Sequence, residues 1–334
     1  MSAHTATATA SPNIALIKYW GNIDDDLRLP ASPSISFNLA ELNTRTTVSW
    51  QPELRADRVE INGEEIVSGP VYERVVGHLD HVRKMAAYHQ YAFVQSSNNF
   101  PTGAGIASSA SAFAALSLAA TAALGLHLSE QALSALARLG SGSAARSIPG
   151  GFVAWYTGQR HEDSYAESFA PPEHWPLVDL IAIVNREHKR TGSTTGHAIA
   201  ATSPLQATRI ATAQERFDRC KAAILNRDFE ALARVVELDS NIMHSVMMTS
   251  DPPLFYWTPA TLQIMRQIRQ WRELGGFEIC YTIDAGPNVH CICTLETASV
   301  IENDLRTLPG VLDVIRATVG GAAKLVENNA ERKR

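Results

Sequence analysis

Apolar and polar positions alternate irregularly along this chain, and the period changes from one segment to the next. "RTTVSW" (residues 45–50) alternates as a strand does. "DRVEINGEEIV" (57–67) reads as two short strands around Asn62-Gly63, a pair that tolerates the positive φ angles of a tight hairpin turn. "VYERVVGHLDHVRKMAAYH" (71–89) has helical spacing, and "YAFVQSSNNFP" is a strand running into a loop. From Ala107 to Leu126 the residues are small and apolar, which predicts a closely packed, buried helix. A second helix follows over 129–140, with Ser129 as its N-cap. "GGFVAWYTG" is a strand, and residues 1–9 read as a loose Ala/Thr tail.

The composition changes near Pro171-Pro172 and Trp175-Pro176. This predicts two domains, residues 1–176 and 177–334. "LVDLIAIVN" opens the second as a buried strand. "PLQATRIATAQERFDRCKAAILN" reads as one long amphipathic helix, "FEALARVVELDSNIMHSVM" as another, and "TPATLQIMRQIRQWRELGG" as a third ending at a glycine C-cap. "FEICYTIDAGPNVHCICTL" is a pair of strands around a loop. Without regular strand–helix–strand units, the pattern favours an α+β fold over a doubly wound sheet.

A length of 334 residues suits two domains of moderate size. The net charge of −5 argues against a broad nucleic-acid surface. Four cysteines are too few for a disulfide scaffold, and Cys291 and Cys293 share a strand face as small core residues. The first residues lack the basic and apolar regions of a signal peptide, and no apolar run approaches the ~20 residues of a membrane helix. The expectation is a soluble, reduced, cytoplasmic protein. His78 and His81 read as helix-surface residues, and Asp24 to Asp26 as a solvated turn. No metal-ligand set can be named.

Two stretches carry chemistry. "NNFPTGAGIASSASAF" (98–113) runs from a strand through a Gly-rich loop into a helix. Glycines let the backbone approach an anion, and the first helical turn offers unpaired N–H groups. It is neither a Walker motif nor a dinucleotide fingerprint, and on its own it equally reads as a Gly turn before a Ser-rich helix. "IALIKYWGN" (14–22) sets one lysine, Lys18, among apolar and aromatic residues, where an ammonium is poorly hydrated unless an anion meets it. A snorkelling strand-edge lysine is the plainer alternative.

The loop resembles the ATP-phosphate loop of the GHMP kinase superfamily. "PNIALIKYWG", "LRLPASPSIS", "NNFPTGAGIASSASAFAAL", "GSGSAARSIPGGFVAW" and "DAGPN" follow one another as they do in mevalonate diphosphate decarboxylases, over residues 10–325. The resemblance implies a two-domain GHMP fold, with a ribosomal-S5-like N-terminal domain, a ferredoxin-like C-terminal domain and the active site in the cleft between them. It implies ATP and Mg²⁺ as cosubstrates, and a homodimer. The implied reaction phosphorylates the tertiary 3-hydroxyl of a 5-phosphorylated mevalonate, then loses phosphate and CO₂ to leave an alkene.

By that resemblance Asp284 orients the 3-hydroxyl and accepts its proton, and Lys18 stabilises the reacting oxygen and the transferring phosphoryl group. Arg146 grips the substrate carboxylate through its two-pronged guanidinium, assisted by Ser141 and Ser143. Tyr19, Asn22, Ser193 and Thr194 are the further substrate-binding candidates. Pro101, Gly103, Ala104, Gly105, Ser108 and Ser109 are the candidates for ATP.

Asn22 departs from the pattern. Typical diphosphate-using members carry lysine after "KYWG", where it supplies charge to the distal phosphate. A neutral residue points to 5-phosphomevalonate as substrate and isopentenyl phosphate as product, unless Lys189 or Arg190 supplies the missing charge. The alternatives are a 5-diphosphomevalonate decarboxylase giving isopentenyl diphosphate, a mevalonate 3-kinase that stops at phosphorylation, and a non-catalytic protein of the same fold.

Overall fold

A computed structural model of the chain describes residues 4–100, 108–186 and 192–326. The first strands are β1 (His4–Ala10), β2 (Asn13–Ile17), β3 (Asn22–Asp24), β4 (Leu29–Pro30), β5 (Ser34–Asn38) and β6 (Thr44–Gln51). β7 (Arg58–Ile61) and β8 (Glu64–Ile66) form the expected hairpin, with Asn62 and Gly63 both at positive φ. Helix α1 (Pro70–Ala86), strand β9 (Tyr91–Asn98) and helices α2 (Ser108–Ala123) and α3 (Glu130–Gly140) follow. A 3-10 turn (Gly142–Ser147) leads into β10 (Phe152–Trp155) and β11 (Ala166–Ala170). One sheet runs β16-β1-β6-β9-β7-β8 and a second β11-β10-β5-β2, where β16 is Lys324–Leu325.

The Ala-rich α2 lies buried against the first sheet, because small side chains let it approach closely. Ser129 caps α3 by accepting from Ala132 N. The supposed tail is β1, paired along its whole length with β6 and also with β16. Its alternating threonines are β-branched and stack across the sheet, as Thr7 does with Thr47, so pairing overrides the loose look of the segment. His78 is 2% exposed, not on the surface, and its Nε2 hydrogen-bonds the Ser117 hydroxyl of α2. His81 is exposed as expected.

The remaining elements are β12 (Leu177–Ile183), α4 (Ser193–Ile199), α5 (Gln206–Ala211), α6 (Ala213–Asn226), α7 (Phe229–Thr249), α8 (Pro259–Gly275), β13 (Ile279–Thr282), β14 (Val289–Thr294), α9 (Leu295–Thr307) and β15 (Asp313–Thr318). Their sheet is antiparallel in the order β13-β14-β12-β15, the strand order of a ferredoxin-like unit. α6 and α7 pack in one core with side chains of both this sheet and the β2–β5 layer. Cys291 and Cys293 are core residues, and all four cysteines are buried and unpaired.

The long helix expected from Pro204 is broken at Thr212. In an unbroken helix Ala213 N would bond the Arg209 carbonyl. That carbonyl instead accepts from Arg216 Nη2 at 2.9 Å, and Arg216 Nη1 bonds the Thr212 hydroxyl at 2.6 Å. The buried Arg216 side chain thus takes over the helix's own bonding, for a reason that lies in the site.

Candidate active site

Lys18 follows directly on β2, and its backbone is fixed from both sides. Its N–H donates to Asp239 Oδ2 at 2.7 Å, and its carbonyl accepts from Arg209 Nη2 at 2.6 Å. Arg216 holds the other Asp239 oxygen at 2.6 Å. This explains the break at Thr212: Arg209 and Arg216 turn inward to hold the strand end that presents Lys18. Sequence reasoning missed Asp239, Arg209 and Arg216. The available signal was charge on the apolar face of predicted helices.

Lys18 Nζ lies 2.5 Å from Asp284 Oδ1, with the lysine side chain 1% and the aspartate 27% exposed. Asp284 sits in the loop between β13 and β14. Ser240 Oγ accepts from Ile283 N at 3.0 Å, and Asn288 Oδ1 accepts from Val184 N at 2.8 Å, so the loop is tied at both ends. The pair joins residues 266 positions apart, one from each half of the chain. A carboxylate beside a buried ammonium, partly open to solvent, is a proton acceptor and a cation held ready at one point.

Arg146 lies in the 3-10 turn after α3, where residues three apart share a face, which puts Ser143 beside it. It is 3% exposed. Nε donates to Asn13 Oδ1 at 3.2 Å and Nη1 to Ser34 Oγ at 2.7 Å. Asn13 also donates to Ser143 O and Ser147 Oγ, so it fixes the whole turn. Among the described residues these are its hydrogen-bond partners, so Nη2 and the second Nη1 hydrogen could meet an anion end-on. Burial lowers its pKa to about 10, partly offset by Asp284 and Tyr19, and an incoming anion would relieve that burial. Asn13 and Ser34 were also missed, although both lie within motifs that carry the resemblance.

Tyr19 stands next to this turn. A Cβ on Gly142 would lie 2.5 Å from its ring, so only glycine leaves it room. Its hydroxyl donates to Asn22 Oδ1 at 2.5 Å, and Asn22 Nδ2 donates to Asp25 Oδ1 at 2.7 Å. Burial raises the tyrosine pKa, so the phenol stays protonated. His197 of α4 stacks on Tyr19 with ring centres 4.1 Å apart, and its Nδ1 accepts from Gly21 N at 2.9 Å. Burial lowers the imidazole pKa to about 3. This neutral histidine docks α4, whose exposed first turn holds Ser193 and Thr194, against Tyr19.

Ser108 and Ser109 open α2, and Ser109 Oγ lies 3.2 Å from Ser141 Oγ. Pro101, Gly103, Ala104, Gly105, Lys189 and Arg190 lie outside the described residues. Among the described residues no group of three or more His, Cys, Asp or Glu side chains could hold a metal ion. Asp25 and Asp26 lie exposed in the turn between β3 and β4, as expected, while Asp24 is the last residue of β3.

A Lys–Asp pair joining the two halves of the chain, with a serine-opened helix and a buried arginine around it, is the arrangement expected from the resemblance to the GHMP-fold decarboxylases. Residues 10–166 match the model of the diphosphomevalonate decarboxylase-like N-terminal domain, and residues 179–324 that of the mevalonate 5-diphosphate decarboxylase C-terminal domain. The chain belongs to the diphosphomevalonate decarboxylase family. The diphosphomevalonate decarboxylase of Ganoderma lucidum is 41% identical over 313 residues, 86% of this chain and 78% of that one. The crystal structure of mevalonate diphosphate decarboxylase from Staphylococcus aureus superposes with a TM-score of 0.91 at 36% identity, covering 97% of this chain and 98% of the other. The structure of MDDEF in complex with MVAPP, AMPPCP and magnesium also gives 0.91, at 35% identity, covering 97% and 99%.

Proposed function

We propose that this protein is an ATP-dependent decarboxylase that converts 5-diphosphomevalonate to isopentenyl diphosphate, ADP, phosphate and CO₂. The observation that carries the reading is the Lys18–Asp284 contact beside Arg146, in a chain whose relatives are named for this activity. Asp284 accepts the proton of the 3-hydroxyl as that oxygen attacks the phosphoryl group. Lys18 offsets the negative charge that develops on the reacting oxygens. Arg146, with Ser141 and Ser143, holds the substrate carboxylate, and Tyr19, Ser193 and Thr194 line the phosphorylated arm. When the C–C bond to the carboxylate breaks, its electrons form the new double bond and the 3-phosphate departs with its oxygen.

Bound ATP and Mg²⁺ supply the phosphoryl group and its charge neutralisation. The oxygen donors present, the Ser108, Ser109 and Ser141 hydroxyls and the Asp284 carboxylate, suit a hard ion brought in on nucleotide phosphates. The loop from Pro101 to Gly105 is assigned to those phosphates. The domains are taken as 1–176 and 177–334, since β12 begins at Leu177 and pairs with β14 and β15, although β16 near the end of the described chain crosses back to pair with β1. No helix among the described residues is long and apolar enough to cross a membrane. A cytoplasmic homodimer is the assembly we infer, and four buried, unpaired cysteines suit a reducing compartment.

The relatives' names back the diphosphate, which the sequence alone placed second to 5-phosphomevalonate. One observation favours the monophosphate: Asn22 is neutral, and its amide is already engaged by Tyr19 and Asp25. CO₂ release with each substrate decides. A kcat/KM at least tenfold higher for the diphosphate is expected, and Asn22→Lys should raise that preference further. A tenfold preference for the monophosphate would establish the second reading, and a parent releasing no CO₂ from either would refute both.

A further inference from the structure

The turn that joins β3 to β4 ends at Arg28, whose φ of 50° is rare for a residue with a side chain. That backbone aims the guanidinium back toward α3, where Nε donates to the Leu139 carbonyl at 3.0 Å. Arg74 of α1 reaches the next carbonyl, Gly140 O, with Nη2 at 2.9 Å. Two guanidiniums thus meet at consecutive carbonyls, and neither is ion-paired with a described carboxylate. Burial, and to a lesser extent repulsion from Arg28, lowers the Arg74 pKa to about 10. Arg74 Nε is buried with no hydrogen-bond partner.

One cation would satisfy the negative end of a helix. A second is held in an uncommon backbone conformation against like charge, which the Phe113 ring under Arg74 offsets only in part and an anion between the two would offset fully. The two consecutive carbonyls the arginines bond lead directly into Ser141 and Gly142, and Gly142 lies under Tyr19. Arg28 also follows Asn22 within one hairpin, and its charge is felt at Tyr19 and His197.

We propose that Arg28 is a specificity-determining ligand for the terminal phosphate of the substrate, beside Arg74, and supplies the positive charge that Asn22 does not. The inference rests on the reading of the site as one for a 5-phosphorylated mevalonate. It explains how a chain with a neutral residue after "KYWG" accepts a diphosphate.

The test is Arg28→Asn, since asparagine tolerates positive φ, with Arg28→Lys retaining the charge. Binding of mevalonate 5-diphosphate and mevalonate 5-phosphate is measured by calorimetry without nucleotide, alongside CO₂ release. Arg28→Asn should weaken the diphosphate at least tenfold and the monophosphate less than threefold, while Arg28→Lys falls between parent and Arg28→Asn. The proposal is overturned if the diphosphate loses less than threefold, if both ligands lose alike, or if the parent binds the diphosphate no tighter than the monophosphate. A parent that shows the expected binding pattern but releases no CO₂ would refute the decarboxylase reading and leave Arg28 in place. A parent that releases CO₂, with a ligand preference untouched by Arg28→Asn, would do the reverse.

Discussion

Replacing Asp284 with asparagine keeps the size of the side chain and removes its charge. Lys18 Nζ, 2.5 Å away on a side chain 1% exposed, then faces a neutral amide. Its backbone is clamped by Asp239 and Arg209 and its side chain is buried, so the ammonium is held away from water. Breaking a fully buried ion pair from one side costs about 3–5 kcal/mol. The 27% exposure of Asp284 admits some solvent, which brings the expected loss to about 2–3 kcal/mol. At about 2–4 °C per kcal/mol, Tm should fall by roughly 4–12 °C. Turnover should fall by about 10²-fold or more, the scale of a lost general base. The double variant Lys18→Met/Asp284→Asn separates the two effects. With the ammonium gone the apolar methionine fits the buried position, so Tm should recover while CO₂ release stays low. Calorimetry and a coupled CO₂ assay read both. A single variant within threefold of the parental kcat, or a double variant that regains activity, refutes the assigned chemistry. A single variant with unchanged Tm refutes the ion pair.

Arg146→Lys keeps a charge but cannot reach Asn13, Ser34 and a carboxylate together, so kcat/KM should fall at least tenfold, and unchanged kinetics would remove Arg146 from the carboxylate site. Burial lowers His78 to about 3 and His244 to about 4, both well below the ordinary value. Such groups cost nothing above pH 6.5, and stability is lost as pH falls from there toward the folded values, because the unfolded chain takes up protons that the folded one refuses. At pH 5 each should account for roughly 1.5–2 kcal/mol, so His78→Gln should show a smaller drop in Tm between pH 7 and pH 5 than the parent. An equal drop would show that His78 is not held neutral.

Much of the fold was legible because local signals agreed with tertiary ones. Asn62-Gly63 needs only its own backbone preference to make a hairpin, and Ser129 caps α3 from one position away. Residues 4–10 failed that way, since their order comes from β6 and β16, far along the chain. His78 misled because helical spacing gives a face, not the depth of what packs on it. Lys18, Asp284 and Arg146 were identified through motif resemblance, and the structure brings them together. Their supports, Asp239, Arg209, Asn13 and Ser34, were not. A charged residue on a helix reads as solvated until something distant is known to need it.

Residues 319–326 return to the first half of the chain. Gly320 N bonds Asn38 O, Gly151 N bonds Gly320 O, and Ala323 N bonds Ile148 O, just beyond the turn that carries Arg146. A Cβ on Gly150 would lie 2.4 Å from Ala322 N, so the two strands of chain touch. During synthesis the ribosome delivers the arginine turn long before the segment that braces it. The first domain must therefore wait, with one edge of its sheet uncovered and the turn that carries Arg146 unbraced, until nearly all the described chain has emerged. The assembled site is in this sense something the nascent protein acquires late, when the second half of the chain is already made and Lys18 and Asp284 can meet.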